Sequence, residues 1–225
     1  DFCLAVYPGK QYAFVGQNGC GKSTVIKLLT GLYENYSGRI LLNGRDIRSL
    51  SAAEIKAYFA VVYQDYGKYQ LSVREELQLG NADLADPEIA ALLEQTGLAQ
   101  KVGSLPLGAD TPLGKLEPGS ADLSEGQWQR LALARAFGRQ ARFLVLDEPA
   151  AALDALAESR VYRVIRDIGA TRCTTTLYVT HRLAAARSAD EIIVMKDGRI
   201  IEQGTHAALL AGDSYYAQMF NTQRK

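Results

Sequence analysis

The sequence predicts an α/β fold with a largely parallel sheet, and three observations favour it. Short apolar runs of strand length alternate with helical segments along the chain, which is the order typical of this class. A glycine-rich loop at 16–24 joins an apolar strand to a helix. Carboxylate and histidine side chains come directly after later apolar runs, at 147–148 and 181. Because open α/β sheets bind ligands at the carboxyl ends of their strands, these positions predict one site.

The individual elements follow from turn signals, caps and apolar spacing. Pro8-Gly9 separates the first two strands, Asn43-Gly44 closes the third, and Asp197-Gly198 is the turn of a hairpin. Ser51 and Glu54 have the spacing of a helix capping box. Short apolar runs predict strands at 4–7, 11–15, 39–42, 59–63, 143–146, 177–179, 192–195 and 199–202. Helical patterns predict helices at 24–32, 51–58, 86–97, 124–138 and 156–168, followed by two short helices at the end of the chain.

The segment between the fourth and fifth predicted strands is helical in pattern. Asp86-Pro87 is a typical helix start and Gly97 a typical stop, whereas 103–119 is rich in Gly and Pro and is predicted to be a loop. We therefore expect a single domain of 225 residues. Its core is formed by 1–65 and 141–225, and 66–140 forms a helical subdomain.

Composition and charge narrow the class of protein. The chain is 48% hydrophobic, enough to bury a sizeable core. Lys+Arg and Asp+Glu number 25 each, which argues against a nucleic-acid partner bound through bulk positive charge. Cys3, Cys20 and Cys173 have no metal-binding spacing, so a reduced, cytosolic setting is expected. No apolar run reaches 18 residues and the chain begins without Met, so we expect a soluble piece of a longer polypeptide.

A phosphate-binding loop lies near the start of the chain. The residues Gly16-Gln17-Asn18-Gly19-Cys20-Gly21-Lys22-Ser23-Thr24 fit G-x-x-x-x-G-K-[ST] between a strand and a helix. The glycines let successive N–H groups point into one concave anion site, and the helix end adds positive potential. Lys22 supplies a charge for the β- and γ-phosphates, and the Ser23 hydroxyl is a Mg²⁺ ligand. The alternative is a chance match, which arises in roughly one chain of this length in a hundred. The motif therefore predicts a P-loop core that binds the phosphates of a nucleotide.

Two carboxylates follow the apolar run at 143–146. Asp147 is placed to hold Mg²⁺, directly or through water, and Glu148 to orient or deprotonate an attacking water. An Asp-Glu pair after a strand is common in loops, so the pair alone is a weak signal. With a phosphate loop upstream it becomes a strong one.

A serine-capped helix start, Leu123-Ser124-Glu125-Gly126-Gln127, completes the set of motifs. Ser124 is the expected N-cap, which leaves the N–H groups of Glu125 and Gly126 free to attract an anion. Taken alone, this stretch fits an ordinary capped helix equally well. Taken with the other motifs, it closely resembles the nucleotide-binding domain of ATP-binding cassette (ABC) transporters, and the resemblance runs over essentially the whole chain.

The resemblance implies roles for further residues. The family's signature reads L-S-G-G-Q, and here Glu125 stands at the first Gly. The family's pattern implies a lid glutamine at Gln64 that reaches the metal and a switch histidine at His181. It also implies a dimer-contact loop at Ala152-Leu153-Asp154, which here follows Ala151 where the family usually has Ser. It also implies that residues 124–127 contact the γ-phosphate held by a second cassette, so that two chains pack head to tail around two ATP molecules. The carboxylate of Glu125 must then point away from that phosphate, and we expect Glu125 to have only a modest effect on the stability of the two-chain ATP sandwich.

The resemblance also implies an activity, partners and a location. It implies ATP hydrolysis by Glu148 with His181 and Lys22, with Mg²⁺, which powers export through transmembrane domains fused upstream in the full-length protein. The finer match is to bacterial peptide and bacteriocin exporters, at the cytoplasmic face of the inner membrane. The family's adenine-stacking aromatic is expected upstream of Asp1, so the N-terminal antiparallel β portion is expected to be truncated.

Two alternatives stay open at this stage. One is a regulatory cassette that binds ATP with weak or absent hydrolysis; Glu125 and Ala151 leave room for it, whereas Glu148 and His181 argue against it. The other is a non-transport cassette ATPase that acts on DNA or ribosomes. Related proteins of that kind carry coiled-coil insertions, zinc motifs or paired cassettes, and no heptad run separates the phosphate loop from the carboxylate pair. Neither the cargo nor the choice between homodimer and heterodimer follows from the sequence.

Overall fold

The computed structural model describes residues 2–114 and 119–223, which form two compact units. The first unit consists of the residues up to Val61, Ala141–Glu148 and the chain from Gly169 onward. The second consists of Val62–Gln140 and Pro149–Ile168. The sequence-based boundaries near 65 and 140 lie close to these. The sequence analysis assigned 149–168 to the core, whereas this segment belongs to the second unit, where the N–H of Ala152 donates to the Gln129 side chain.

Eight strands and ten α-helices are found in the described part of the chain. The strands are β1 Gln11–Val15, β2 Leu41–Leu42, β3 Arg45–Asp46, β4 Phe59–Val62, β5 Phe143–Asp147, β6 Thr175–Val179, β7 Glu191–Lys196 and β8 Arg199–Gly204. The helices are α1 Lys22–Leu29, α2 Ala52–Tyr58, α3 Val73–Gln78, α4 Asp86–Gln95, α5 Ala99–Gly103, α6 Glu125–Gly138, α7 Ala155–Arg172, α8 Leu183–Ala186, α9 His206–Leu210 and α10 Tyr215–Gln223.

A six-stranded sheet with the order β4-β5-β6-β1-β7-β8 forms the centre of the first unit. The neighbours β5, β6, β1 and β7 pair in parallel, and β8 returns antiparallel to β7. Every residue of β1 and β6 is buried. Strands that are covered on both faces need such continuous buried runs. The predicted α/β fold with a largely parallel sheet is confirmed.

The N-terminal segment departs from the prediction. Among the described residues that precede β1 there is no strand, so the strand expected at 4–7 is wrong. The N–H of Tyr7 donates to the Tyr12 hydroxyl at 2.8 Å, and the N–H of Gly9 donates to the Thr175 hydroxyl at 3.1 Å. Backbone donors that side chains occupy in this way are not available to a neighbouring strand.

Several element bounds also differ from the prediction. β2 pairs with β3 over two residues on each side of Asn43-Gly44, so the strand expected at 39–42 is shorter than predicted. α1 begins earlier than predicted because Gly21 is its N-cap, with a φ of +100°. α7 extends beyond the predicted helix at 156–168. The loop predicted at 103–119 contains a 3-10 turn at Gly108–Asp110, and 115–118 lie outside the described residues.

The second unit is built on α6, against which α3 and α4 pack. A buried ion pair joins two of these helices: Arg135 Nη1 in α6 lies 2.8 Å from Glu76 Oε2 in α3, and the Glu76 side chain is only 2% exposed. The other carboxylate oxygen accepts the N–H of Tyr69 at 2.8 Å. Burial raises the pKa of Glu76, and the Tyr69 N–H and Arg135 oppose that shift. The carboxylate therefore depends on its partners to stay charged.

We predict that Arg135→Met lowers the free energy of unfolding by about 3–5 kcal/mol at pH 7, because it leaves a buried carboxylate without its cation. Without Arg135, burial raises the pKa of Glu76 in the folded chain further above its value in the unfolded chain. The loss of unfolding free energy is therefore fully present above the folded-state pKa. The loss should shrink as the pH falls toward 4 and Glu76 takes up a proton. Urea unfolding at both pH values measures this. An equal loss at both would contradict it, and Arg45→Met, in an exposed ion pair with Glu54, is the control that should change little.

Candidate active site

Adjacent parallel strands bring three predicted site segments to one edge of the sheet. In the strand register, Asp147 of β5 pairs with Val179 of β6, and Val179 pairs with Phe14 of β1. Glu148 follows β5 directly, His181 comes shortly after β6, and the phosphate loop begins where β1 ends. The carboxyl ends of parallel strands are where open α/β sheets bind ligands. The structure thus places these segments side by side in the first unit.

The phosphate loop curls around the ammonium group of Lys22. Gly16 and Gly21 have φ values of +148° and +100°, and a Cβ on Gly16 would lie 2.2 Å from the carbonyl oxygen of Met195 in β7. Only glycine fits there. The Lys22 side chain is buried, and its Nζ donates to the carbonyl oxygens of Gly16 and Gln17, each at 2.9 Å. The charge is held inside the loop, where the sequence predicts a phosphate.

The other loop residues divide by exposure. Cys20 is buried, and its Sγ lies 3.6 Å from Lys22 Nζ. The Cys20 carbonyl accepts the N–H of Gly198 at 3.1 Å, which ties the loop to the turn between β7 and β8. The remaining loop residues that face solvent are Gln17, Asn18, Gly19 and Thr24.

Asp147 and Ser23 form a pair that suits a cation. Asp147 is 5% exposed, and its carboxylate accepts a hydrogen bond from the Ser23 hydroxyl. Its Oδ1 atom is buried and has no hydrogen-bond partner in the described structure. Burial raises the pKa of Asp147 most, and the neighbouring Glu148 adds to that shift, while Ser23 and Lys22 oppose it. A buried carboxylate oxygen without a partner and a hydroxyl beside it are hard oxygen ligands of the kind that Mg²⁺ takes in phosphate sites.

Within the described residues, no group of three or more His, Cys, Asp and Glu side chains is arranged to hold a metal ion. Mg²⁺ at nucleotide sites takes one or two protein ligands and completes its shell with water and phosphate oxygens. The pair formed by Ser23 and Asp147 fits that mode of binding.

Glu148 and His181 contact each other. His181 Nδ1 lies 3.3 Å from Glu148 Oε2; the Glu148 side chain is 16% exposed and that of His181 is 47% exposed. Glu148 has a φ of +52°, a left-handed conformation that is rare outside glycine, and its N–H donates to the Val179 carbonyl at 3.1 Å. Strain of this kind is typical of functional positions, where the surrounding structure maintains it. A carboxylate that can act as a base thus lies in contact with an imidazole group.

Gln223, which no sequence motif singled out, contacts the segment that carries His181. Gln223 Nε2 donates to the His181 carbonyl at 2.6 Å, and its Oε1 accepts the N–H of Leu183 at 3.0 Å. The last described residue of α10 therefore fixes the backbone on both sides of this turn. A single glutamine near the end of a chain carries no sequence pattern, so no local signal could have identified it.

In the second unit, α6 begins at Glu125 with Ser124 as its N-cap, as predicted. The N–H of Ser124 donates to Oε1 of Gln127 at 2.9 Å. Ser124 and Glu125 are exposed, so the N-terminal end of this helix is open to solvent. Trp128 is buried, and its Nε1 donates to Asp122 at 3.3 Å, which agrees with a packing role for the indole.

The signature residues and the predicted dimer-contact loop lie together in the second unit. A Cβ on Gly126 would lie 2.9 Å from the carbonyl oxygen of Ala152, and Gln129 Oε1 accepts the N–H of Ala152 at 3.0 Å. Asp154 Oδ1 accepts the N–H groups of Leu156 and Ala157 at 3.0 and 2.9 Å, which lowers the pKa of Asp154. Asp154 thus caps α7, and its role in a dimer contact stays a prediction.

Two further sequence predictions concern residues of the second unit. Gln64 is exposed and follows β4 closely, and its contact with a metal stays a prediction. The carboxylate of Glu125 is bonded to Tyr66 and Lys68, two residues that the sequence analysis did not single out.

Comparison with known proteins decides the family. The family model described as ABC transporter matches residues 1–151. The chain belongs to this family. Its parallel sheet, phosphate loop and signature helix are therefore those of an ABC cassette. Among the described residues, none of the helices of this cassette is long and apolar enough to cross a membrane.

The names of individual relatives refer to different transported molecules. An ATP-dependent lipid A-core flippase of Neisseria meningitidis serogroup B is 37% identical over 225 residues, which cover 100% of this cassette and 35% of that protein. The subtilin transport ATP-binding protein SpaT of Bacillus subtilis is 37% identical over 226 residues, which cover 96% of this cassette and 35% of that protein. A solved structure of a bacterial Atm1-family ABC exporter with ATP bound matches with a TM-score of 0.91 and 32% identity, covering 100% of this cassette and 38% of that chain. The cassette spans about a third of the length of these relatives.

We predict that Asp147→Asn raises the thermal stability of the nucleotide-free chain by a few degrees at pH 7.5. The substitution removes a buried charge and keeps a hydrogen-bond acceptor for Ser23. Because burial raises the pKa of Asp147, the folded chain binds more protons than the unfolded chain between the unfolded-state and folded-state pKa values of this residue. The stability of the parental chain therefore falls as the pH rises through that range. The gain should therefore vanish near pH 4. The same variant should lose most of the stabilisation that MgATP provides.

Thermal unfolding at both pH values, with and without MgATP, measures both effects. Asp46→Asn is the control and should lower the thermal stability at pH 7.5, since hydrogen bonds from Arg48 lower the pKa of Asp46 to about 2. A loss of stability in Asp147→Asn at pH 7.5, with MgATP stabilisation intact, would show that Asp147 is not a buried metal ligand.

We also predict that bound MgATP protects Cys20 from a bulky maleimide. The exposed residues Cys3 and Cys173 are first replaced by Ser, so that only the phosphate-loop thiol remains. If only the nucleotide-free chain reacts, MgATP at 100 times its dissociation constant should slow labelling about a hundredfold. Mass spectrometry of timed samples gives the rate. Labelling rates that do not depend on MgATP would place the nucleotide elsewhere.

Proposed function

We propose that this cassette is the ATP-hydrolysing domain of an exporter. The contact between Glu148 and His181, at the strand end beside Asp147, carries the proposal. A cassette that only binds nucleotide needs the phosphate loop but neither of these two side chains. Their contact therefore favours hydrolysis over the regulatory alternative, although Glu125 and Ala151 depart from the family pattern.

Each predicted site residue has one role in this proposal. Lys22 and the N–H groups of the loop bind the phosphates, and Ser23 and Asp147 hold Mg²⁺, with Gln64 as a further ligand. When bound, Mg²⁺ neutralises charge on the β- and γ-phosphate oxygens. Glu148 accepts a proton from the attacking water, and His181 donates a hydrogen bond toward the γ-phosphate.

The remaining contact with the nucleotide comes from a second cassette. The N-terminal end of α6 is open to solvent, and a helix of 14 residues carries partial positive charge there. We infer that Ser124, Glu125, Gly126 and Gln127 of one copy face the γ-phosphate bound by the other, with Asp154 near the interface. Two cassettes then pack head to tail around two ATP molecules.

The partners of the cassette follow from its relatives. Their chains are about three times as long as this cassette, and their names describe transport of lipid A-core and of subtilin. We infer that transmembrane domains of the full-length protein choose the cargo, and that the cassette works at the cytoplasmic face of the membrane. Relatives with such different cargo are equally similar to the cassette, so its sequence supports no particular substrate.

We predict that Glu148→Gln leaves ATP binding intact and lowers hydrolysis about 10²–10⁴-fold, because glutamine keeps the size and hydrogen bonds of the side chain but cannot act as a base. ATP then stays bound and joins two cassettes. The Glu148→Gln cassette should form a dimer with MgATP, whereas the parent should dimerise only briefly. Size-exclusion chromatography with light scattering and a phosphate-release assay measure the two effects.

Ser124→Arg in the Glu148→Gln background is the matched control, since it places a bulky side chain at the N-terminal end of α6 without changing the phosphate loop. It should abolish the dimer and leave nucleotide binding by one cassette unchanged. A Glu148→Gln chain that stays monomeric and still hydrolyses ATP at the parental rate would exclude both Glu148 as the base and the head-to-tail dimer.

A further inference from the structure

Glu125, the residue that departs from L-S-G-G-Q, is bonded through both of its carboxylate oxygens. The Tyr66 hydroxyl donates to Oε1 at 2.8 Å, and Lys68 Nζ lies 2.5 Å from Oε2. The same hydroxyl lies 3.0 Å from the backbone carbonyl oxygen of Glu125. The Lys68 ammonium also lies 5.9 Å from the centre of the Tyr66 ring. We call these three residues, all in the second unit, the Glu125 cluster.

The segment that supplies Tyr66 and Lys68 is also held at the other end of α6. The N–H of Tyr69 donates to the buried carboxylate of Glu76, and the Arg135 guanidinium lies 5.1 Å from the centre of the Tyr69 ring. Glu76 and Arg135 themselves form the buried ion pair between α3 and α6. The backbone next to Lys68 is therefore fixed independently of Glu125, and this places the lysine within reach of the carboxylate.

Charge explains why such a cluster matters at this position. Glu125 is the first residue of α6, next to the helix end that attracts anions. Hydrogen bonds from Lys68 and Tyr66 lower the pKa of Glu125, so the side chain is charged at neutral pH. An unpaired carboxylate there would repel a phosphate that approaches the same helix end. Paired with Lys68, it adds no net charge, and its two bonds hold it to the side of the helix.

We propose that Lys68 and Tyr66 are positioning residues for the nucleotide of the opposite cassette. Lys68 neutralises Glu125, and Tyr66 holds the carboxylate off the N–H groups of α6, so the helix end can bind phosphate although it carries an acidic residue. The proposal rests on the head-to-tail dimer of the proposed function. If the cluster only braced the fold, Lys68→Met and Glu125→Gly would have the same effect, since each removes the same bridge. If it acts through charge, their effects differ in sign.

The test is a double-mutant cycle on ATP hydrolysis by the full-length protein. Lys68→Met should raise the KM for MgATP about three- to tenfold, the effect of one unpaired charge at several ångströms in a partly solvated site, with kcat nearly unchanged. Glu125→Gly should give a KM at or below the parental value. The double variant should return to within about twofold of the parent, since no carboxylate remains to be neutralised.

Further variants separate charge from bracing. Glu125→Gln keeps an acceptor for Tyr66 without the charge, so it should remove the sensitivity to Lys68→Met as glycine does. Raising the salt concentration should reduce the effect of Lys68→Met, because exposed charges are screened. Tyr66→Phe should raise KM only when Glu125 is present. Arg45→Met, in a comparably exposed ion pair, is the control that should leave KM unchanged.

Two outcomes of the double-mutant cycle would overturn the proposal. Equal increases in KM for Lys68→Met and Glu125→Gly, without rescue in the double variant, would reduce the cluster to a structural bridge and overturn the proposal. An unchanged KM in Lys68→Met would overturn it too. Failure of the proposed function is a separate result: Glu148→Gln would then form no MgATP-dependent dimer, whatever residues stand at 68 and 125.

Discussion

The parallel register of β5, β6 and β1 is the constraint on which the site depends. These strands are almost entirely buried, and burial of their side chains stabilises the sheet. Because side chains alternate between the two faces, a slip of one residue would turn every side chain of a strand to the other face. It would also move Asp147 away from its position opposite Val179, next to the phosphate loop. Apolar packing thus sets the positions of the polar groups.

The polar groups at this edge are costly for the cassette in the absence of its ligands. Asp147 is a buried carboxyl group whose charged form burial disfavours, the Lys22 ammonium is bonded to carbonyl groups of its own loop, and Glu148 has a left-handed backbone. Such features destabilise a fold by amounts that the neighbouring packing must offset. Phosphate and a cation would satisfy the first two groups directly. The site is therefore arranged for its ligands in advance, at the expense of stability.

How much the sequence predicted depended on whether the signal was local. The phosphate loop, the carboxylates after β5 and the start of α6 each lie within a few consecutive residues, and the structure forms those elements where the sequence indicates. Side-chain partners that are distant in sequence left no such signal: Lys68 is 57 residues from Glu125, and Gln223 is 42 residues from His181. The strand expected at 4–7 does not form, and within that span the N–H of Tyr7 donates to the Tyr12 hydroxyl, which apolar spacing does not predict.

The neighbouring signature positions 125 and 126 differ in what a side chain meets there. At 125 the side chain is bonded to Tyr66 and Lys68, and under our proposal this neutralises its charge within the second unit, so that the helix end can still bind phosphate. At 126 any side chain would begin with a Cβ 2.9 Å from the Ala152 carbonyl oxygen, and the helix would have to move away from the loop before α7. Electrostatic departures can be compensated by one distant side chain. A steric departure in the backbone contact requires two elements to shift together.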